Sequence, residues 1–376
     1  MPTLDDRRRL ALDTILRKDV KGIAIWLINP MEWAMIDRIA GAPEGSYKAK
    51  PVETYRRMLV NSGCCAVDQW IPTNPLSMGA HGYEAETPRG ATTGAEAVVL
   101  DGMEIREPED VAAHMERHAF PQLRRAAAEF DEEQATRAFV ESEAAIQAEI
   151  GPEMLKVPYC PSFPCLGYGS YGYANYFMAY ALYPNVMETS FRLQADLAVL
   201  CNRAIARGIE RAGLAPYLRL DHDMADSRGT LVDVRSLDRI WFPHFARSIE
   251  PLLKARITMI WHCDGNLSAM VPRLIDAGLE GFQGFQYEDG MDYAKICRMK
   301  TRAGQGLLII GGVSVTRTLP YGTPQDVKDE LKWLVDNGPR RGLLLACSSS
   351  IAPGVPWPNL EALIDGLNYY RVHGRD

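Results

Sequence analysis

His262 and Asp264 are the residues best placed for chemistry, in the stretch Ile257-Thr-Met-Ile-Trp-His262-Cys-Asp264-Gly265-Asn266. Its first half is apolar and rich in β-branched residues, which reads as a buried strand. The run stops at His262 and Asp264, and Gly265-Asn266 leads into the amphipathic segment from Leu267 to Ala277. Side chains alternate along a strand, so His262 and Asp264 face one way and Cys263 the other. A His beside a carboxylate can serve as a general base with its orienting partner, or as two ligands of a metal ion. A core His followed by an Asp that caps the next helix would leave the same trace.

Polar residues stand at the ends of the other apolar runs too. Asn29 follows Gly22–Ile28, and Asp221 and Asp223 follow Tyr217–Leu220. Gln286 and Glu288 end the run from Gly281, and Cys347 with Ser348-Ser349-Ser350 follows Gly342–Ala346. Gly311-Gly312 closes the run from Gly306, with Arg317 a little beyond, and Tyr168 and Tyr171 lie in a loop of Gly and aromatic residues. Each has a plainer reading. Asp221 and Asp223 could cap a turn, Glu288 could favour a helix N-terminus, and Cys347 could be a small buried hydrophobe. Together they form a constellation on one rim, in which a carboxylate–His contact of about 2.6–3.2 Å is expected.

The elements that must position these residues follow from the same runs. Strands are expected at 22–28, 64–69, 155–159, 217–220, 257–262, 281–286, 306–310 and 342–346. Helical patterns separate them, at 5–18, 31–40, 52–61, 174–183, 185–212, 236–255, 291–302, 324–337 and 359–371. Strands that alternate with helices predict an α/β fold, a (β/α)8 TIM barrel with its site at the strand carboxyl ends. An open doubly wound sheet would need a Gly-rich phosphate turn, and Ile28-Asn29-Pro30 is not one. An extra N-terminal helix precedes the barrel. Residues 72–150, first rich in Gly, Thr and Pro and then helical from Met115 to Ile150, read as an insertion after strand two. The chain, 1–376, is expected to be one domain.

Composition narrows the function classes. Of the 376 residues 47% are hydrophobic and 24% charged, as in a globular protein. A net charge of −7 and the lack of a basic run argue against a nucleic-acid partner. No apolar run approaches membrane-spanning length, and Arg7-Arg8-Arg9 has no apolar segment behind it to make a secretory signal. Eight Cys without paired CxxC spacing point to a reducing, cytoplasmic setting.

The ordered set Asp221-His-Asp-Met-Ala-Asp-Ser-Arg-Gly229, His262-Cys-Asp-Gly-Asn266, Gly311-Gly-Val, Leu319-Pro-Tyr-Gly-Thr323 and Ser348-Ser-Ser-Ile-Ala-Pro-Gly-Val-Pro356 resembles the uroporphyrinogen decarboxylase superfamily. The resemblance covers most of the chain from about residue 150 and, more loosely, the first 70 residues. It implies a barrel, often dimeric, with the site inside the strand carboxyl ends. Tetrapyrrole decarboxylases of this superfamily bind their acidic substrate through an Arg-containing motif near strand one. The matching stretch here, Ile25-Trp-Leu-Ile-Asn29-Pro-Met-Glu-Trp33, has no Arg, and the mouth is acidic. The other branch comprises cobalamin-linked methyltransferases, which hold zinc with a His-x-Cys pair and a later Cys. His262 matches that His; Asp264 stands at the first Cys position, and Ser349 near the second, with Cys347 two residues earlier.

The resemblance therefore implies a corrinoid-linked methyltransferase acting on a small methylated compound, with a separate corrinoid protein as partner and zinc as the candidate metal. His262, Asp264, Asp221 and Glu288 are the expected catalytic residues. Asn29, Asp223, Tyr168, Tyr171, Gln286, Arg317 and Ser349 are expected at the substrate, and His262, Glu288 and Cys347 as metal ligands. A homodimer is expected. The alternatives are a decarboxylase or lyase acting on a tetrapyrrole or smaller acid, and a non-catalytic tetrapyrrole or metabolite binder.

Overall fold

In the computed structural model, which describes residues 4–73, 98–159 and 161–375, the apolar runs become eight parallel strands. They are β1 (Ala24–Ile25), β2 (Ala66–Val67), β3 (Leu155–Lys156), β4 (Tyr217–Asp221), β5 (Thr258–His262), β6 (Gly281–Gln283), β7 (Leu308–Val313) and β8 (Leu343–Cys347). Six of them form one sheet in the order β1-β8-β7-β6-β5-β4, and β2 pairs with β3. Isolated parallel bridges, Trp26 to Ala66 and Tyr159 to Arg219, join the two sheets into a ring. The fold is a (β/α)8 barrel. Every residue of β7 and β8 is buried, because barrel strands are covered by side chains inside and helices outside. Two antiparallel hairpins, Val98–Leu100 with Met103–Ile105 and Ala225–Asp226 with Gly229–Thr230, lie outside the ring and its numbering.

The N-terminal helix, Leu4–Ile15, lies against β1, β3 and β8. Just past it the Arg17 guanidinium bonds the Gly306 carbonyl and the Glu280 carboxylate, at the starts of β7 and β6. No helix among the described residues is long and apolar enough to cross a membrane.

Several expected boundaries move, each for a local reason. The strand expected to reach Gln286 stops at Gln283, where Gly284 turns the chain at φ +81°. The strand expected to end at Gly311-Gly312 instead runs through both to Val313. Gly312 lies so close to β8 that a Cβ would sit 2.2 Å from the Ser348 nitrogen. The helix expected over 236–255, with breaks near Pro243 and Pro251, divides once, into Val234–Ile240 and Phe242–Lys254, with Pro243 in the first turn of the second and Pro251 inside it. Likewise 291–302 is helical only over Tyr293–Cys297.

Residues 74–97 of the expected insertion, and Cys160, lie outside the described residues. The remainder is a hairpin followed by Pro108–His114, Phe120–Ala128 and Glu132–Ile150, where one helix from Met115 was expected. A π-helical turn, Met115–Ala119, precedes Pro121. Pro121 has no N–H to return to the preceding turn, so the hydrogen-bond ladder widens there. Ile105, Val111, Met115, Phe120 and Ile150 join the same continuous core as the barrel strands. Helix Glu132–Ile150 lies hard against Pro184–Ala212: a Cβ at Gly208 would meet Phe139 at 2.5 Å.

Candidate functional site

Three polar residues share one register row at the carboxyl ends of β4, β5 and β6. Asp221 pairs with His262, and His262 with Gln283. Register partners in a parallel sheet point to the same face, here the barrel interior. With Asn29, Arg219, Cys347 and Ser349 they line a cavity of about 210 Å³. A larger hollow of about 870 Å³ beside the starts of β3 and β4 is mostly apolar, and its one buried ion pair is Lys156 with Glu143.

The innermost wall is a network of buried charge. The Arg219 Nε donates to Asp68 at 2.5 Å, and its Nη1 to Asp221 Oδ2 at 2.9 Å. The Tyr159 hydroxyl donates to the same Asp221 oxygen at 2.9 Å and accepts from Gln69 at 2.7 Å. Burial pushes the Asp221 carboxyl up. The charges of His262 and Arg219 and the bonds from Tyr159 and Arg219 outweigh that, and hold it below the usual carboxylate range.

At the rim, one ligand atom from each of Asp223, His262 and Asp264 lies within 4.8 Å of the others. The His262 Nε2 is 3.8 Å from Asp264 Oδ1, longer than the hydrogen bond expected from the sequence. That carboxylate oxygen is buried and accepts no hydrogen bond. The separation suits two ligands of one ion better than a bonded pair. The three residues are braced from behind. Ser349 donates to Asp264 Oδ2 at 3.0 Å, the Asp264 amide donates to Asp223 at 2.8 Å, and the Gly265 amide donates to Gln286 at 2.6 Å. Burial, then the neighbouring Asp264 charge, raises the Asp223 pKa. Two carboxylates and an imidazole form a donor set for a hard or borderline divalent cation.

Asn29, Asp221, His262, Ser349 and Cys347 border the cavity, and Asp264 and Asp223 adjoin it through Ser349 and His262. Other candidates are engaged elsewhere. Glu288 is not in the three-ligand group; the Ser314 and Thr316 hydroxyls both donate to its Oε1 at 2.5 Å. Arg317 is exposed and bonds the Glu288 carbonyl. Gln286 fixes the loop after β5 and does not reach the cavity. Tyr171 shares a hydrogen bond with His114, away from this rim, while the Tyr168 hydroxyl donates to the Asp223 carbonyl. Cys347 is buried, and burial raises its thiol pKa, which disfavours the thiolate a metal needs. His222, next to Asp221, accepts from the Leu166 amide; burial pushes it down to about 4, so it stays neutral.

Asp68, Gln69, Tyr159, Arg219 and Gln283 are part of the site without having been singled out by sequence. Arg219 had a signal: a lone Arg inside the apolar run Tyr217-Leu-Arg-Leu220 must find a carboxylate.

Residues 219–370, from β4 to the last helix, match the family model described as uroporphyrinogen decarboxylase (URO-D). That part of the chain is similar to the uroporphyrinogen decarboxylase family. The matched span holds Arg219, Asp221, His262 and Asp264, whereas Asn29, Asp68 and Tyr159 precede it. A similar solved structure is a methyltransferase from Methanosarcina mazei, with a TM-score of 0.57 and 17% identity over 98% of this chain and 99% of that one. A B12-independent methionine synthase from Shewanella sp. W3-18-1, in complex with selenomethionine, aligns at a TM-score of 0.29 and 17% identity over 49% and 55% of the two chains, too partial to bear on the fold. No curated protein matches the sequence. The likeness to the Methanosarcina protein shows that the two chains share a fold.

Proposed function

We propose that the chain is a methyltransferase that removes a methyl group from a small compound and passes it to a corrinoid carried by a separate protein. The observation that carries this reading is the convergence of Asp223, His262 and Asp264 within 4.8 Å at the rim of a small cavity. At about 210 Å³ that cavity is below the roughly 300–1,000 Å³ of sites for drug-sized ligands. A substrate with many carboxylates would need uncommitted cations. Among the described lining residues the basic side chain is Arg219, already committed to Asp68 and Asp221. Decarboxylation of a tetrapyrrole is therefore the weaker reading.

Asp223, His262 and Asp264 would hold the divalent cation, zinc or a harder ion, whose Lewis acidity polarises the heteroatom bearing the methyl group. The bonds from Ser349, Asp264 and Gly265 keep these ligands in place before substrate arrives, so little reorganisation is left for the reaction. Asn29 orients the substrate from across the ring, and Asp221 from the strand beside His262. The carbon–heteroatom bond breaks with both electrons on the heteroatom, which takes up a proton on release. The methyl group leaves to the reduced corrinoid, whose electron pair forms the new bond.

The test is to measure metal content in protein purified without chelators, then to incubate it with cob(I)alamin and a panel of methoxy, methylthio and methylamino compounds. Bound divalent metal and formation of methylcobalamin, both lost in His262→Ala, are expected. Metal-free protein with no methyl transfer from any compound would end the proposal.

A further inference from the structure

We infer that the substrate of this site carries a positive charge, a protonated amino group held against Asp221 with the methylated heteroatom toward His262. This rests on the methyl-transfer reading and adds the chemistry of the substrate's other end.

Counting charge gives the sign. Asp68, Arg219 and Asp221 form one network of two carboxylates and one guanidinium, which leaves one negative charge over. A divalent ion on Asp223 and Asp264, with His262 as a neutral ligand, leaves the rim neutral, so the surplus stays on the cavity wall. Exposure decides which end of the network a ligand meets. The Asp221 side chain is 24% exposed and that of Arg219 only 4%, so the carboxylate faces the space and the guanidinium is withdrawn behind it.

Bonding points the same way. Arg219 and Tyr159 both donate to Asp221 Oδ2, and Oδ1 takes no hydrogen bond from a described residue. Gln283, the register partner of His262, has a buried Oε1 that accepts no hydrogen bond from a described residue. The wall thus offers an open acceptor beside an uncommitted amide oxygen, which suits a donor-rich ammonium. Asp221 and His262 stand on adjacent strands, about 4.8 Å apart, so a two-carbon link would join the ammonium to the methylated heteroatom.

The experiment is calorimetric titration at neutral pH with three ligands of one length: 2-methoxyethylamine as its ammonium, 2-methoxyethanol and methoxyacetate. The ammonium is expected to bind about tenfold or more tightly than the alcohol, the scale of one charge-assisted hydrogen bond, with methoxyacetate weakest. Asp221→Asn should bring the ammonium to the level of the alcohol; if that variant does not fold, the wild-type comparison decides alone. Equal affinities, tighter binding of methoxyacetate, or no binding of any of the three overturns the inference. Charge preference without methyl transfer to cob(I)alamin would remove the methyltransferase reading and leave the ammonium site. Transfer from 2-methoxyethanol but not from the amine would do the reverse.

Discussion

Arg219 is the side chain on which the site's inner wall depends. It and Asp68 are almost wholly buried, so neither charge can return to water if its partner goes. Asp68→Asn should therefore destabilise the protein by about 3 kcal/mol, read from urea denaturation, because the buried guanidinium loses its closer carboxylate and keeps only Asp221. His262 should behave differently. Its ring is largely buried but holds no close ion pair, so His262→Ala should cost about 2 kcal/mol while abolishing a chelator-sensitive shift in the thermal melt. A large loss of stability with no chelator effect in either protein would make His262 a packing residue. Glu330 supplies a pH dependence. Burial raises its carboxyl from 4.5 to about 7, against a hydrogen bond from the Ser314 amide that lowers it. The folded state then holds a proton that the unfolded chain releases, so this stability is complete below pH 4.5 and falls as pH rises toward 7. The loss should be about 3 kcal/mol, and Glu330→Gln should remove that slope from melts across the range. Asp221 and His262 were legible because an apolar run that stops at a polar residue marks a strand mouth. Glu288 was not, because Ser314 and Thr316, which bind it, are set beside it only by the fold.

At the scale of elements, the end of β6 matters most. Gly284 takes φ +81°, and a Cβ there would lie 2.7 Å from the Cys263 carbonyl oxygen and 2.9 Å from His262 Nδ1. Gly284→Ala should cost roughly 2–4 kcal/mol by denaturation, combining left-handed strain with overpacking. It should also displace the His262 ring, so metal retained after dialysis should fall even in molecules that remain folded. Retention at the wild-type level would mean that the loop after β6, not the His262 ring, absorbs the clash. The sequence hid this bend, since Gly284-Phe-Gln286 repeats Gly281-Phe-Gln283 and looks like more strand. Helix Pro324–Asn337 was legible to the residue because Thr323 and Asp326 form a capping box at its start. The π turn before Pro121 was not, because a proline announces a break without saying how the ladder yields.

The whole molecule was legible through its alternation: eight apolar runs, each long enough for one strand, separated by helical patterns. What could not be read was how unevenly the ring is held. β4 to β8 are joined by continuous ladders, whereas β2 and β3 are two residues each and meet their neighbours through single bridges. Arg219 spans that sparse side, tying Asp68 after β2 to Asp221 on β4, with Tyr159 after β3 bonded to the same carboxylate. Because the helices of 98–150 share the barrel's core, one cooperative calorimetric transition is expected; a second transition would mark them as a separate unit. The pairing of Ala24 with Leu344 sets an order of events during synthesis. β1 must wait for β8 before it has its ladder, and a loop closure that spans the barrel comes late. Pulse-labelled hydrogen exchange during refolding should find the amides of β5 to β7 protected before that of Trp26, whose acceptor is the Leu345 carbonyl. Until β8 has been made, the nascent chain holds an apolar first strand with only its bridge to β2, the state in which a chaperone would find it.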